Sequence, residues 1–204
     1  MMERKLDTWL AVYGKGIYSH IDRGWWDDDG GREGEIVTDV KRAINAIEHC
    51  RGLGGTVFVC GNGGSMATAL HFVCDMAKVP QGCPGPSTQT ICLGANGPLL
   101  TAIANDSQYR RVFADDLLRH RPSSKDALLA ISASGNSGNV LDALEAAEDN
   151  GMLVIGLTGF DGGCLRAESD ISIHVDAQHF GIVEDLHLII CHMIAYWLAG
   201  SDPP

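Results

Sequence analysis

Apolar residues follow two different rhythms along this chain. In "IVTDVKRAINAIEHCRG", Ile36, Val40, Ile44 and Ile47 recur at helical spacing and the pattern stops at Gly52, which predicts a helix over 36–52. Upstream, residues 3–22 are helix-compatible, and "RGWWDDDGGREGE" then breaks the pattern. From Gly54 onward short β-rich runs take over, at 56–60, 88–93, 127–132, 153–158 and 171–175. Helical patterns separate or follow them at 65–78, at 98–120 in one or two pieces, at 137–150, at 163–169 and at 181–198. Strands that are apolar at nearly every position are buried on both faces, so this alternation predicts an α/β fold with a parallel sheet between helices. Such sheets bind ligands beyond the carboxyl ends of their strands, which directs attention to the loop after each strand.

Two of those loops are unusual. The first strand runs into "CGNGGS", where Asn62, Gly63, Gly64 and Ser65 lead directly into the next helix. Glycines let backbone N–H groups turn toward an anion, and the helix start adds partial positive charge. The turn is no P-loop, because no Gly-Lys-Ser/Thr follows. It also misses the dinucleotide spacing, since Met66 stands where the third glycine belongs. The third strand runs into "ISASGNSGNV", with Ser132, Ser134 and Ser137 around Gly135. One serine would serve as a helix cap, but three hydroxyls exceed what capping needs. Hydroxyls and helix-start amides can bind a phosphate monoester without Arg or Lys, so two such turns on one sheet point to a sugar-phosphate site.

Ionisable residues mark two helices. At 100° per residue, His71, Asp75 and Lys78 fall within about 60° of one another on an otherwise apolar helix. They form either a solvated edge with an Asp75–Lys78 pair or the wall of a cleft, and a helix that begins at the anion turn favours the cleft. The final helix buries Ile182, Leu186, Ile189, Ile190, Met193 and Trp197 on one face. Its other face carries Glu184, His187, Leu188, Cys191 and His192, too apolar a mixture for bulk water, which suggests a second buried surface such as a subunit contact. The two histidines with Glu184 are either satisfied core groups or metal and acid–base groups.

Composition narrows the class. The 204 residues are 45% hydrophobic, enough for one compact domain with or without a helical appendage. A formal charge of −11 without a Lys/Arg run argues against a nucleic acid or an anionic membrane as partner. The N-terminal residues have no apolar signal core, and no membrane-spanning run is expected because the longest apolar runs look strand-length. Seven cysteines without a C-x-x-C pair, with Cys60, Cys92 and Cys191 inside apolar runs, read as reduced, buried thiols of a cytoplasmic protein. Asp27, Asp28 and Asp29 read as a solvated loop rather than a cation site, and Trp25 and Trp26 as cover for an oligomer contact.

The segments "CGNGGS…H-x-x-x-D", "ANDSQY", "ISASGNSGNV", "GLTGFDGG" and "VEDLHLIICH", in this order over residues 36–199, resemble the SIS-domain phosphosugar isomerases, and most nearly the phosphoheptose isomerases. The resemblance implies a five-stranded parallel sheet in a flavodoxin-like three-layer sandwich. It divides the chain into an oligomer-contacting segment, 1–35, and a SIS domain, 36–204, and it implies a homotetramer with active sites at subunit contacts. By it, Ser65, Ser132, Ser134 and Ser137 match phosphate-binding hydroxyls beside Gly63 and Gly64, and Asn62 and Asp106 match sugar contacts. His71, Asp75, Glu184 and His192 match the ligands of a Zn²⁺ ion. Asp75 and His192 are the expected proton-transfer pair, and His187 matches a recurrent histidine of less defined role; the same four groups also suit a metal-free site in which Lys78 offsets the carboxylates.

The implied reaction is aldose–ketose isomerisation through an enediol, from sedoheptulose 7-phosphate to D-glycero-D-manno-heptose 7-phosphate. Three departures bear on it. Asp75 is one methylene shorter than the family's glutamate, Ala133 replaces a usual threonine, and the segment before Glu184 is a few residues shorter. The rival readings are a non-catalytic sugar-phosphate-binding regulator with a protein partner, and an isomerase of another ketose phosphate.

Overall fold

The computed structural model describes residues 35–78 and 88–200. The expected helix over 3–22, the Trp25–Trp26 pair and the Asp27–Asp29 loop lie outside the described residues.

Helix α1 (Glu35–Gly52) precedes strand β1 (Thr56–Gly61), helix α2 (Gly64–Ala77) and strand β2 (Gln89–Cys92). Helix α3 (Gly97–Asp106), a single 3₁₀ turn (Tyr109–Arg111) and helix α4 (Val112–Arg119) follow, then strand β3 (Ala127–Ser132) and helix α5 (Gly138–Asp149). Strand β4 (Leu153–Thr158), the short helix α6 (Gly163–Glu168), strand β5 (Ile171–His174) and helix α7 (Phe180–Leu198) complete the order. The expected stretch 98–120 is thus two helices joined by the 3₁₀ turn, because the chain leaves α3 at Ser107 and is extended at Gln108.

All five strands are parallel, in the order β2-β1-β3-β4-β5. Successive side chains of a strand point to opposite faces, and both faces are covered here. Val57 and Val59 of β1, with Leu129, Ile131, Ile155 and Leu157, meet α1, α2 and α7. Phe58 and Cys60, with Leu128, Ala130 and Val154, meet α4 and α5. Double burial is why these strands read as unbroken apolar runs. The order reverses between β1 and β3, which makes their carboxyl ends the topological switch point. Both polar turns leave from those two strands.

By length and mean hydropathy alone α7 could cross a bilayer, although Glu184, Asp185, His187 and His192 interrupt its apolar runs. The fold uses it as a core helix. Val183, Leu186, Ile190, Ile194 and Leu198 are buried in the layer shared with α1 and α2, whereas Trp197, expected on the core face, is exposed in the last turn of the helix.

His187 is buried there too, fully shielded from solvent. A carbonyl only accepts, so the His187 Nε2–H donates to the Thr158 carbonyl at 3.1 Å, while its Nδ1 has no partner. Burial pushes the imidazole from 6.5 down to about 4; His174 adds to this and the Thr158 bond opposes it. The unfolded chain therefore takes up this proton first as pH falls below 6.5, and stability drops down to pH 4. At about pH 5 the folded state is expected to have lost about 2 kcal/mol relative to neutral pH through this group. Urea unfolding of the protein and of His187→Asn across that range checks it: a pH slope unchanged by the substitution would assign the acid sensitivity elsewhere.

Candidate active site

The two turns at the switch point start two helices, and neither start is capped by a side chain. Gly63 stands at the N-cap of α2 with φ +56° and no side-chain bond. Ser137 stands at the N-cap of α5, yet its hydroxyl makes no capping bond; it lies 3.2 Å from the Ser132 hydroxyl instead. Ser134 Oγ accepts from the Asn136 N–H at 3.3 Å. Ser65 and Ser132 are buried in the turns themselves. The leading amides of α5 thus remain free for an anion, with three hydroxyls around them.

Gly135 holds the serine turn in shape. Its φ is +65°, and a Cβ there would run into the Gly162 carbonyl of the neighbouring loop. That approach lets the Gly135 carbonyl accept from Leu165 N–H at 3.0 Å, tying the turn after β3 to α6.

Asn62 joins the two turns. Its Nδ2 donates to Asn139 Oδ1 at 2.7 Å, and Asn139 Nδ2 donates back to Asn62 Oδ1 at 2.9 Å. Tyr109 donates its hydroxyl to the same Asn62 oxygen at 3.1 Å. Sequence reasoning missed Asn139 and Tyr109. Asn139 lies inside a predicted helix, where a polar residue reads as a solvated edge, although it is buried. Asp106 ends α3 in an exposed position and accepts from Asn105 Nδ2 at 2.8 Å.

A second constellation sits further along α2. His71 and Asp75, one turn apart, meet His192 of α7. The three atoms His71 Nε2, His192 Nε2 and Asp75 Oδ2 form a triangle with edges of 3.2, 3.4 and 3.5 Å. Asp75 Oδ2 is buried and has no hydrogen-bond partner, although both imidazole nitrogens approach it: the contacts have the closeness of ion pairs without the directions of hydrogen bonds. Ligands about 2.0–2.1 Å from a tetrahedral ion stand roughly 3.3 Å from one another. The triangle matches one face of that tetrahedron, so these three residues fit a metal ion. Cys191, the residue before His192, is buried. Burial, reinforced by the Asp75 charge, pushes its thiol up to about 12.

Among the described residues of one chain, Glu184, the expected fourth ligand, lies apart from this triad. The Glu184 carboxylate lies against Gly64, so closely that a Cβ on that glycine would collide with it. Helices α2 and α7 therefore run side by side in the same direction, Glu184 near the start of α2 and His192 beside His71. Eight residues of α-helix rise about 12 Å, which separates Glu184 from His192. Lys78 is exposed at the C-cap of α2. Among the described residues no ion pair joins it to Asp75, whose carboxylate faces the two histidines.

Comparison with known proteins follows the same lines. The SIS domain family matches residues 34–159. The chain is 35% identical to the phosphoheptose isomerase of Halorhodospira halophila over 162 residues, 78% of this chain and 81% of that protein. It is 34% identical to the phosphoheptose isomerase of Rhodospirillum rubrum over 166 residues, 80% of this chain and 86% of that one. Its fold superposes on the phosphoheptose isomerase of Neisseria gonorrhoeae with a TM-score of 0.82 and 26% identity, covering 98% of this chain and 100% of that one.

Proposed function

The chain belongs to the SIS-domain family, within its phosphoheptose isomerases, and from that membership we propose that it interconverts sedoheptulose 7-phosphate and D-glycero-D-manno-heptose 7-phosphate. The observation that carries the reading is the His71–Asp75–His192 triangle, since a protein that only binds a sugar phosphate needs the turns and not the triad.

The chain's own groups divide the work. Ser65, Ser132, Ser134 and Ser137, with the free amides at the helix starts, hold the phosphate. Asn62 and Asp106 contact sugar hydroxyls. In the aldose-forming direction, one of Asp75 and His192 takes the proton from C1 of the ketose. The carbonyl oxygen at C2 gains a proton as the enediol forms. A proton is then delivered to C2 while the hydroxyl on C1 gives one up, leaving an aldehyde with no net change in atoms. Zn²⁺ held by His71, Asp75 and His192 would polarise the carbonyl and stabilise enediolate charge.

His71 and Asp75 lie about 10 and 16 Å along α2 from Gly64, while the serine turn belongs to another helix. This separation supports a site completed across a subunit contact, and the exposed Leu70, Tyr196 and Trp197 on α2 and α7 support a homotetramer built on that face. Residues 1–35 would add to the contact, and the domain proper would run from residue 36. Free cysteines, of which Cys50, Cys60, Cys92 and Cys191 are buried, support a cytoplasmic setting. Asp75 and Ala133, which depart from the family pattern, favour as second reading an isomerase of a different ketose phosphate.

Purified protein incubated with sedoheptulose 7-phosphate, before and after chelation and zinc replenishment, is expected to form the aldose by NMR, fastest with zinc. Thermal stabilisation by the sugar phosphate without turnover under any metal condition would instead identify a regulator. Turnover of another ketose phosphate alone would reassign the substrate.

A further inference from the structure

The phosphate turn looked free of cationic side chains in the sequence, and the structure brings one to it. The 3₁₀ turn Tyr109–Arg111 packs on the first turn and a half of α5. Tyr109 reaches the Asn62–Asn139 pair, and Arg110 lies over the helix start, its Cγ, Cδ and Nε 3.7 Å from where a Cβ on Gly138 would stand. Gly138 follows Ser137 directly, so the arginine stem runs alongside the serine turn.

Asp142, one turn further along α5, fixes the head group. Its carboxylate accepts from Arg110 Nε at 2.6 Å and is itself only 8% exposed. Arg111 stands 4.0 Å from the other carboxylate oxygen and is held by Asp115 at 2.8 Å. The Arg110 side chain remains 62% exposed, and among the described residues no acceptor engages its two terminal nitrogens. A guanidinium tethered through Nε presents its Nη donors outward as a planar fork, the arrangement that matches two oxygens of a phosphate. In a chain of net charge −11, a cation held here by a buried carboxylate has an evident use.

We propose that Arg110 is a substrate-binding residue, donating from its terminal nitrogens to the phosphate over the Ser132–Ser137 turn, with Asp142 as the residue that positions it. This rests on the proposed placement of the sugar phosphate at that turn. The arginine would supply the donor that Ala133 lacks, in the form of a charged, bidentate contact.

The experiment compares the protein with Arg110→Met, Arg110→Lys, Asp142→Asn and Ser137→Ala. Its readouts are steady-state kinetics on the active ketose phosphate, and thermal shift with inorganic phosphate, which needs no turnover. Arg110→Met keeps the stem and is expected to raise KM and weaken phosphate binding about tenfold to a hundredfold, with a much smaller change in kcat. Arg110→Lys restores part of the loss, and its KM rises more steeply with salt. Asp142→Asn gives an intermediate KM with binding still salt-sensitive. Unchanged KM and phosphate affinity in Arg110→Met, beside a clear loss in Ser137→Ala, would overturn the role of Arg110 and leave the phosphate turn standing. No loss in either variant would remove the turn itself as the phosphate site.

Discussion

Replacing Asp75 with Asn, or His192 with Ala, is expected to lower kcat by about 10²–10⁴-fold with little change in melting temperature. Asn has nearly the shape of Asp, so the packing around α2 and α7 is kept while the basic oxygen facing both histidines becomes an amide or a carbonyl. That oxygen is buried and unpartnered, so its removal breaks no structural hydrogen bond. His192→Ala takes away one corner of the triangle and leaves a small gap at a partly exposed position. The two losses should not add, because both groups act on one proton-transfer sequence. Both variants should also retain less zinc than the parent after gel filtration, a readout independent of turnover. Full activity in either variant would show that the triad is not the chemical centre.

Gly135→Ala is the second large effect, and it acts on stability. The substitution forces a side chain into a left-handed conformation (φ +65°) and pushes a methyl group into the Gly162 carbonyl. The conformational penalty of about 1–2 kcal/mol adds to crowding of about 1–3 kcal/mol, a total of about 2–5 kcal/mol. For a chain of this size that corresponds to a melting temperature lower by roughly 5–20 °C. Because the turn after β3 and α6 must separate to make room, phosphate protection should weaken as well. Thermal melts with and without phosphate test both parts, and a melting temperature within a degree or two of the parent would mean the two loops part freely.

The parallel sheet was legible because of its chemistry. A strand buried on both faces cannot alternate, so the runs at 127–132 and 153–158 stand out from any amphipathic helix, and β3 and β4 occupy those residues. The triad was partly legible for a similar reason, since His71 and Asp75 are one helical turn apart and must share a face. Position along the helix axis was less legible. Glu184 and His192 share a face of α7, yet two turns of rise put one at the glycine turn and the other at the triad. Spacing likewise permitted an Asp75–Lys78 pair as the alternative to a cleft wall, but tertiary neighbours choose the partner, and Asp75 faces the two histidines. Asn139, Tyr109 and Arg110 left almost no trace in the sequence, because their roles depend on the 3₁₀ turn meeting the start of α5, a contact between segments with no shared local pattern.

The reciprocal amide pair between Asn62 and Asn139 has a consequence for how the pocket behaves at rest. Each carboxamide is already oriented by the other, and Tyr109 completes the oxygen's coordination, so the walls beside the anion are set during folding rather than on arrival of a ligand. These side chains then have little ordering entropy left to lose when a ligand enters.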